Sequence, residues 1–199
     1  MKFNVLSAIS AICVAMFAVP AIAQDANQGL VRNQPAAGDN GGAPANVQTE
    51  TFGDWVYRCT DVKVSDKFTK NCEVLQIRQA KQGDRTANVL IMAIAQVNGE
   101  KPGDKPVLML TTVVPLNVFL LEGILFTVEK QNVMQLPFRY CNQQGCWAQV
   151  LLDEKTLATF KKGNEGKARF MVMNNQIADV QFSLKGMTKA LERLQASKN

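Results

Sequence analysis

The residue types most capable of chemistry in this chain are its five cysteines. Cys13 lies inside an apolar N-terminal run, and the other four form two local pairs, Cys59 with Cys72 and Cys141 with Cys146. In an oxidising compartment such an even set indicates disulfides, and we favour the local pairings because short loops close at the lowest entropic cost. Zinc bound by all four thiolates is the alternative, although only the second pair has the spacing of a zinc knuckle.

Other catalytic residue types are scarce. The chain contains no histidine, which removes the usual triads, the commonest general base and nearly all transition-metal sites. No serine lies in a G-x-S-x-G motif, and no glycine-rich loop suits a phosphate. Glu122 lies among apolar residues and could act as an acid with a raised pKa, but its predicted place at a hairpin tip favours exposure. The sequence therefore predicts no catalytic residue, no cofactor and no metal site.

The two tryptophans are the side chains best suited to stacking on a sugar ring. Trp55 and Trp147 each alternate with apolar neighbours and lie close to a cysteine in the sequence. This pattern favours a core position for both of them.

The N-terminal segment is predicted to lie outside the folded domain. Lys2 precedes an apolar run from Val5 to Val19 that is too short for a spanning helix, and Ala21-Ile22-Ala23 fits the small-x-small site of a signal peptidase. We therefore expect residues 1–23 to be a cleaved signal peptide. Residues 24–50 contain many Gly, Pro, Ala, Asn and Gln and few large apolar side chains, which predicts a disordered linker.

Hydrophobic periodicity predicts a single, mainly β domain over residues 51–196. An extended strand is expected within Thr51 to Cys59, with Trp55, Tyr57 and Cys59 on one face, followed by a loop between Cys59 and Cys72. Residues 87–97 are apolar on both faces. Such a run predicts a central strand buried between two layers. Further strands are predicted at 133–141 and 147–152.

Two helices complete the predicted domain. A short internal helix begins after Asp153, which suits an N-cap, and ends at Gly163. A C-terminal helix begins at Gly186 and carries apolar residues at helical spacing along one face. Together, the predicted strands and helices indicate a β-sandwich or flattened barrel with a short internal helix and a C-terminal helix.

An apolar stretch around a predicted hairpin is the candidate contact surface. Strands are expected at 118–121 and 124–128 on either side of a turn that contains Gly123. The candidate residues are Val118, Phe119, Leu120, Leu121, Glu122 and Gly123. The net charge of +5 suits an anionic cell surface or polysaccharide and is too small to indicate nucleic acid. We expect peripheral contact with a membrane at most.

Several motifs follow one another in a specific order along the predicted domain. They are Gly53-Asp54-Trp55 followed by Cys59, Val114-Pro115-Leu116-Asn117-Val118 before Gly123, the knuckle from Cys141 to Gly145-Cys146, and Ser183-Leu184-Lys185-Gly186-Met187. Together they resemble the invasion-associated locus B family of exported alphaproteobacterial proteins over about residues 50–196. Asn117 and Met187 depart from the glycine and phenylalanine that are usual at these positions in the family.

The resemblance implies a disulfide-bonded β domain in the periplasm, with outer-membrane association or secretion as alternatives. In pathogens the family is connected with invasion of host cells, notably erythrocytes, and it brings no catalytic residue. We therefore expect a non-enzymatic factor that binds a host-cell or envelope component. A carboxylate-based hydrolase of envelope glycans or peptides, and a housekeeping periplasmic binding or chaperone-like module, stay open. Two carboxylates about 5 to 10 Å apart across a cleft would favour the hydrolase.

Overall fold

The computed structural model describes residues 46–64, 67–99, 101 and 103–197, and this part of the chain forms eleven strands and two helices. The strands, in chain order, are β1 (Val47–Phe52), β2 (Trp55–Val64), β3 (Lys67–Gln82), β4 (Arg85–Val97), β5 (Val107–Val114), β6 (Ile124–Val128), β7 (Gln131–Leu136), β8 (Phe138–Asn142), β9 (Gly145–Leu151), β10 (Glu165–Met171) and β11 (Ile177–Ser183). The helices are α1 (Glu154–Lys162) and α2 (Met187–Ala196). The predicted signal peptide and most of the predicted linker lie outside the described residues.

The strands form two antiparallel sheets. The larger sheet has the order β1-β2-β3-β4-β5-β9-β8, and the smaller has the order β11-β10-β6-β7. Because each sheet keeps its own edges, the strands form a sandwich and no closed barrel. The predicted mainly β domain, with an internal helix and a C-terminal helix, is confirmed. Within the described residues, neither helix is long and apolar enough to cross a membrane.

One hydrophobic core joins both sheets and both helices. On the smaller sheet, Phe182 lies edge-on to Phe126 and to Phe160 of α1, with ring centroids 5.9 and 6.3 Å apart. Each buried phenylalanine stabilises the fold by about 1.5–3 kcal/mol through the apolar surface it removes from water. The predicted apolar face of α2 is buried in the same core and consists of Met187, Ala190, Leu191 and Leu194.

Strand β4 is central in its sheet but is buried on one face only. Leu90, Met92 and Ile94 are fully buried, whereas Ile91 and Ala93 on the other face are half-buried. The prediction of a strand buried between two layers is therefore wrong. The smaller sheet and α2 pack on the inner face of the larger sheet, whereas α1 packs on α2 and β7. Ile91 and Ala93 on the outer face therefore keep part of their surface exposed.

The predicted loop between Cys59 and Cys72 is replaced by paired strands. β2 and β3 continue antiparallel through both cysteines as a ribbon, with Val62 opposite Thr69 and Val64 opposite Lys67. The ribbon side chains beyond the cysteines are mostly exposed. The polar side chains of this segment are typical of a loop, which is why the sequence predicts one. The backbone hydrogen bonds of a sheet, however, form without apolar side chains.

Two other boundaries also differ from the prediction. β1 begins at Val47, so the last residues assigned to the linker belong to the domain. This edge strand needs only backbone pairing with β2, and most of its side chains are exposed. The predicted strand at 133–141 divides at Pro137 into β7 of the smaller sheet and β8 of the larger. Proline lacks the N–H that a continuous ladder requires, so the chain changes sheets there.

Candidate functional site

Both disulfides close directly opposed positions of antiparallel strands. Cys59 faces Cys72 across β2 and β3, and Cys141 faces Cys146 across β8 and β9. These are the two local pairings that the sequence favours. Three of the four cysteines are buried in the core, and Cys141 is exposed. The disulfides therefore stabilise the larger sheet at two places.

The first and last motifs of the family resemblance meet in space. The Trp55 indole N–H donates to the Ser183 carbonyl at 2.9 Å, and the Asp54 backbone N–H donates to the Lys185 carbonyl at 3.1 Å. The buried Gln76 amide donates to the carbonyls of Asp54 and Ser183 at 2.9 and 3.1 Å, and it accepts from the Ser183 N–H at 2.9 Å. We call these contacts the Gln76 node. Sequence reasoning missed Gln76, whose only signal is a polar residue within an apolar alternation.

Two motif glycines bring the β1–β2 turn against the start of α2. Gly53 has a φ of +59° and leaves room for the Lys185 carbonyl, which would lie 2.6 Å from a Cβ at this position. Gly186 has a φ of +88° and packs against the Phe52 backbone so closely that a side chain would clash. A larger residue at either position would be strained and would separate the two segments. These motifs thus fix the fold where the chain segments meet.

The predicted strand at 118–121 and its two-residue hairpin turn are wrong. Only Val118 pairs, through an isolated bridge with Val172, and the two-residue turn lies instead at Glu129-Lys130 between β6 and β7. After β5, Pro115 cannot continue a ladder, and Asn117 adopts a φ of 66°. The chain therefore leaves the sheet as an irregular connection. We call residues 116–122 the leucine loop.

The leucine loop exposes its three leucines, whereas Val118 within it and Gly123 directly after it are buried. Leu116, Leu120 and Leu121 are 46%, 52% and 89% exposed. Phe119 is half-buried, and Glu122 is exposed as the sequence predicts. Of the six predicted contact residues, Val118, Phe119 and Gly123 therefore anchor the loop. Leu120, Leu121 and Glu122 are exposed to solvent.

The turn between β10 and β11 extends this apolar surface. The Phe119 N–H donates to the Met171 carbonyl and the Met173 N–H donates to the Asn117 carbonyl, both at 2.8 Å. Met173 is 64% exposed, and Ile177, which pairs with Met171, is 59% exposed. The five side chains that we call the apolar patch are Leu116, Leu120, Leu121, Met173 and Ile177. They are half of the ten large apolar side chains that are exposed in the described chain, so exposed apolar surface is concentrated at one place.

The outer face of the larger sheet is the competing apolar surface. Ile77, Ile91 and Val113 lie side by side across three strands, and all of them are buried or half-buried by their neighbours. At the end of this row, Trp147 is half-buried and stacks on the exposed Tyr140 at 5.7 Å, so the predicted core position holds for Trp55 and not for Trp147. Side chains of the apolar patch are more accessible, which favours the patch as a binding surface.

Hydrogen bonds hold the pKa of three carboxyl groups below the ordinary range. Backbone N–H donors lower the pKa of Glu129 and that of Asp153, the N-cap of α1. The Arg169 guanidinium donates to both oxygens of Asp179 at 2.7 and 2.8 Å and, with Lys167, lowers the pKa of that carboxyl to about 2. A general acid at neutral pH needs a raised pKa. These three carboxylates therefore act as hydrogen-bond acceptors in structural contacts.

Comparison with known proteins agrees with the motifs. Residues 55–195 match the family described as invasion associated locus B (IalB) protein. The invasion protein B homologs of Brucella abortus strain 2308 and of Brucella abortus biovar 1 strain 9-941 are each 32% identical over 154 residues, which is 76% of this chain and 82% of the relative. The crystal structure of invasion associated protein B from Bartonella henselae has a TM-score of 0.60 at 20% identity and covers 75% of this chain and 96% of its own. The chain belongs to the invasion-associated locus B family.

Proposed function

We propose that this protein is an exported, non-enzymatic factor that contributes to invasion of host cells, notably erythrocytes, by binding a host-cell or envelope component. Family membership and the names of the Brucella and Bartonella relatives support a role in invasion. The predicted signal peptide and the two disulfides support export to the periplasm, with outer-membrane association or release as further steps.

The observation that carries this proposal is the apolar patch. Leu121 is 89% exposed in a loop that buried Val118 and Gly123 anchor, so the loop holds a large apolar side chain in water. Such exposure gains nothing for the fold, whereas covering a leucine completely contributes about 1.5–3 kcal/mol. An exposed apolar cluster of this kind is typical of a surface that a partner covers.

The charge of the leucine loop favours a protein partner over an anionic membrane. Glu122 is exposed, and the loop contains no lysine or arginine. Segments that bind anionic lipid surfaces combine apolar side chains with basic ones. We therefore assign the patch to an apolar depression on a protein of the host surface or of the envelope.

The three carboxyl groups whose pKa is lowered are poor candidates for the general acid of a carboxylate-based hydrolase. Asp179, with a pKa of about 2, is held ionised by Arg169 and is poorly suited to protonate a leaving group. In the described chain, no group of three or more His, Cys, Asp or Glu side chains could hold a metal ion. A housekeeping binding module would also bind through a surface, and it would differ from the proposed function only in its partner. The test that distinguishes the two therefore measures binding to host cells.

The test compares binding of purified mature protein to erythrocytes. The double variant Leu120→Ser/Leu121→Ser removes the most exposed part of the patch, and Phe68→Ser is the matched control because Phe68 is 74% exposed on the β2–β3 ribbon. We expect the double variant to bind at least roughly tenfold more weakly, since covering two leucines contributes a few kcal/mol and each 1.4 kcal/mol is about tenfold in affinity. The control should bind like wild type. Equal binding by all three proteins would refute the assignment of the patch, provided that thermal unfolding shows each one folded.

A further inference from the structure

A second surface feature, separate from the apolar patch, is a cleft of about 460 Å³. It lies where the end of α1, the connection from β11 to α2 and the β1–β2 turn come together. Its volume falls within the range of small-molecule sites, about 300–1,000 Å³. The four lysines that line it are Lys161, Lys162, Lys185 and Lys189. We call this feature the lysine cleft.

In the described chain, the four lysines of the cleft have no ion-pair partner, and the carboxylate at its edge is that of Glu129, which accepts from the Asn164 N–H at 2.7 Å. No aspartate or glutamate lines the cleft itself, and within the described chain none of its four ammonium groups lies within 4.0 Å of a carboxylate. Other basic residues do have partners, such as Lys167 with Asp179 and Arg193 with Glu50. A cleft lined by charge of one sign concentrates its electric field and raises the local concentration of ions of the opposite sign. The lysine cleft therefore favours an anionic ligand.

The backbone around the lysines is held in place before any ligand binds. Lys185 lies two residues after Ser183, whose backbone is fixed by the Gln76 node. The Lys185 carbonyl accepts from the Asp54 backbone N–H at 3.1 Å. Lys189 lies in the first turn of α2, where no side chain caps the helix and the helix dipole adds positive potential. The end of α1 at Lys161 and Lys162 contributes the opposite pole, which these two lysines offset. Because the backbone is already ordered, on the protein side only the lysine side chains lose entropy when a ligand binds.

The shape and charge of the cleft identify the class of ligand. A phosphate monoester carries about −1.5 to −2 charges at neutral pH, so four lysines match about two such groups. The cleft is larger than a phosphate ion requires. The Thr188 hydroxyl in its lining can bond to a neutral hydroxyl group, and so can the Asn164 amide through the groups that its hydrogen bond to Glu129 leaves open. We propose that the lysine cleft binds a phosphorylated sugar, with its phosphates on the lysines and its ring hydroxyls on these polar groups.

Calorimetry of the mature protein at low salt tests this proposal with glucose 1,6-bisphosphate as the probe and glucose as the neutral control. The double variant Lys162→Gln/Lys185→Gln changes two exposed cleft residues, and Lys81→Gln/Lys105→Gln makes the same charge change at exposed positions outside the cleft lining. We expect the cleft variant to bind roughly tenfold more weakly and the control pair to stay within about twofold of wild type. Equal weakening in both pairs, absence of bisphosphate binding, or equal binding of glucose would overturn the proposal.

A vesicle arm distinguishes a free sugar phosphate from a lipid headgroup. Phosphatidylcholine vesicles with lipid A present a disaccharide with two phosphates, whereas phosphatidylcholine alone does not. If the natural source is a lipid headgroup, the vesicles should compete with the soluble probe, and the cleft variant should not bind them. Vesicle binding that survives in the cleft variant would contradict the proposal. The Leu120→Ser/Leu121→Ser protein should bind the soluble probe like wild type, which separates this test from that of the apolar patch.

Discussion

Replacing Gln76 by leucine should destabilise the domain by about 3 kcal/mol. The side chain is 4% exposed, donates to the carbonyls of Asp54 and Ser183, and accepts from the Ser183 N–H. Each such bond contributes about 1 kcal/mol net, and a buried N–H left without an acceptor costs about 1–3 kcal/mol. Leucine has a similar volume, so little of the loss should come from a cavity.

Urea unfolding of the oxidised protein measures this loss as a lower midpoint at an unchanged m-value. Gln79→Leu is the matched control, because it makes the same change on the same strand where the side chain is exposed and bonds to Asn88. The control should stay within about 0.5 kcal/mol of wild type. A Gln76→Leu protein as stable as wild type, or equal losses in both variants, would refute the role of the Gln76 node.

The isosteric change Gln76→Glu adds a pH test of the same contacts. The new carboxylate would face the carbonyl oxygens of Asp54 and Ser183 in a buried place, so folding should raise its pKa above the unfolded value of about 4.3. A group whose pKa is raised by folding favours the folded state below the unfolded pKa and loses this as pH rises through the folded pKa. The variant should therefore be closer to wild type near pH 4 than near pH 7, and an unchanged difference would contradict the reasoning.

Three further predictions concern the disulfides and the exposed ion pairs. The mature protein denatured without reductant should show no titratable thiol, and peptide mapping should return the two cross-strand pairs; crossed pairs would contradict the structure. Asp179→Asn should cost less than about 1 kcal/mol, because the carboxylate is about one-third exposed. Since the pKa of Asp179 is lowered from 3.8 to about 2, its contribution is present above pH 3.8 and is lost as pH falls toward 2, so acid titration of the variant should lack this component. Glu50→Gln removes the partner of Arg193, which also lies 4.3 Å over the Tyr57 ring, and should speed amide exchange in β1 while leaving β4 unchanged.

Local patterns predicted the elements that depend on local chemistry. Asp153 caps α1 by accepting from the Thr156 N–H at 2.6 Å, and the helix is followed by Gly163, as the sequence indicates. The apolar face of α2 is buried as its spacing predicts. In these cases a capping side chain or a helical repeat decides the outcome within a few residues.

Errors arose where contacts far apart in sequence decide the structure. The apolar run at Val118–Leu121 resembles a strand, but the turn at Asn117 and the bonds to Met171 and Met173 hold it as a loop. Gln76 and Ser183 are 107 positions apart, so no local pattern could reveal their bond. The lysine cleft likewise combines the end of α1 with the start of α2, which only the folded chain brings together.

The most direct test of the proposed function is erythrocyte invasion by a deletion strain complemented with variant alleles. Immunoblots should first show equal export of each protein. We predict that the Leu120→Ser/Leu121→Ser allele fails to restore invasion, whereas Phe68→Ser and Glu122→Gln restore it as well as wild type. Full restoration by the leucine variant would contradict binding through the apolar patch. If a correctly folded carboxylate-to-amide variant also failed to restore invasion, the results would indicate an enzyme.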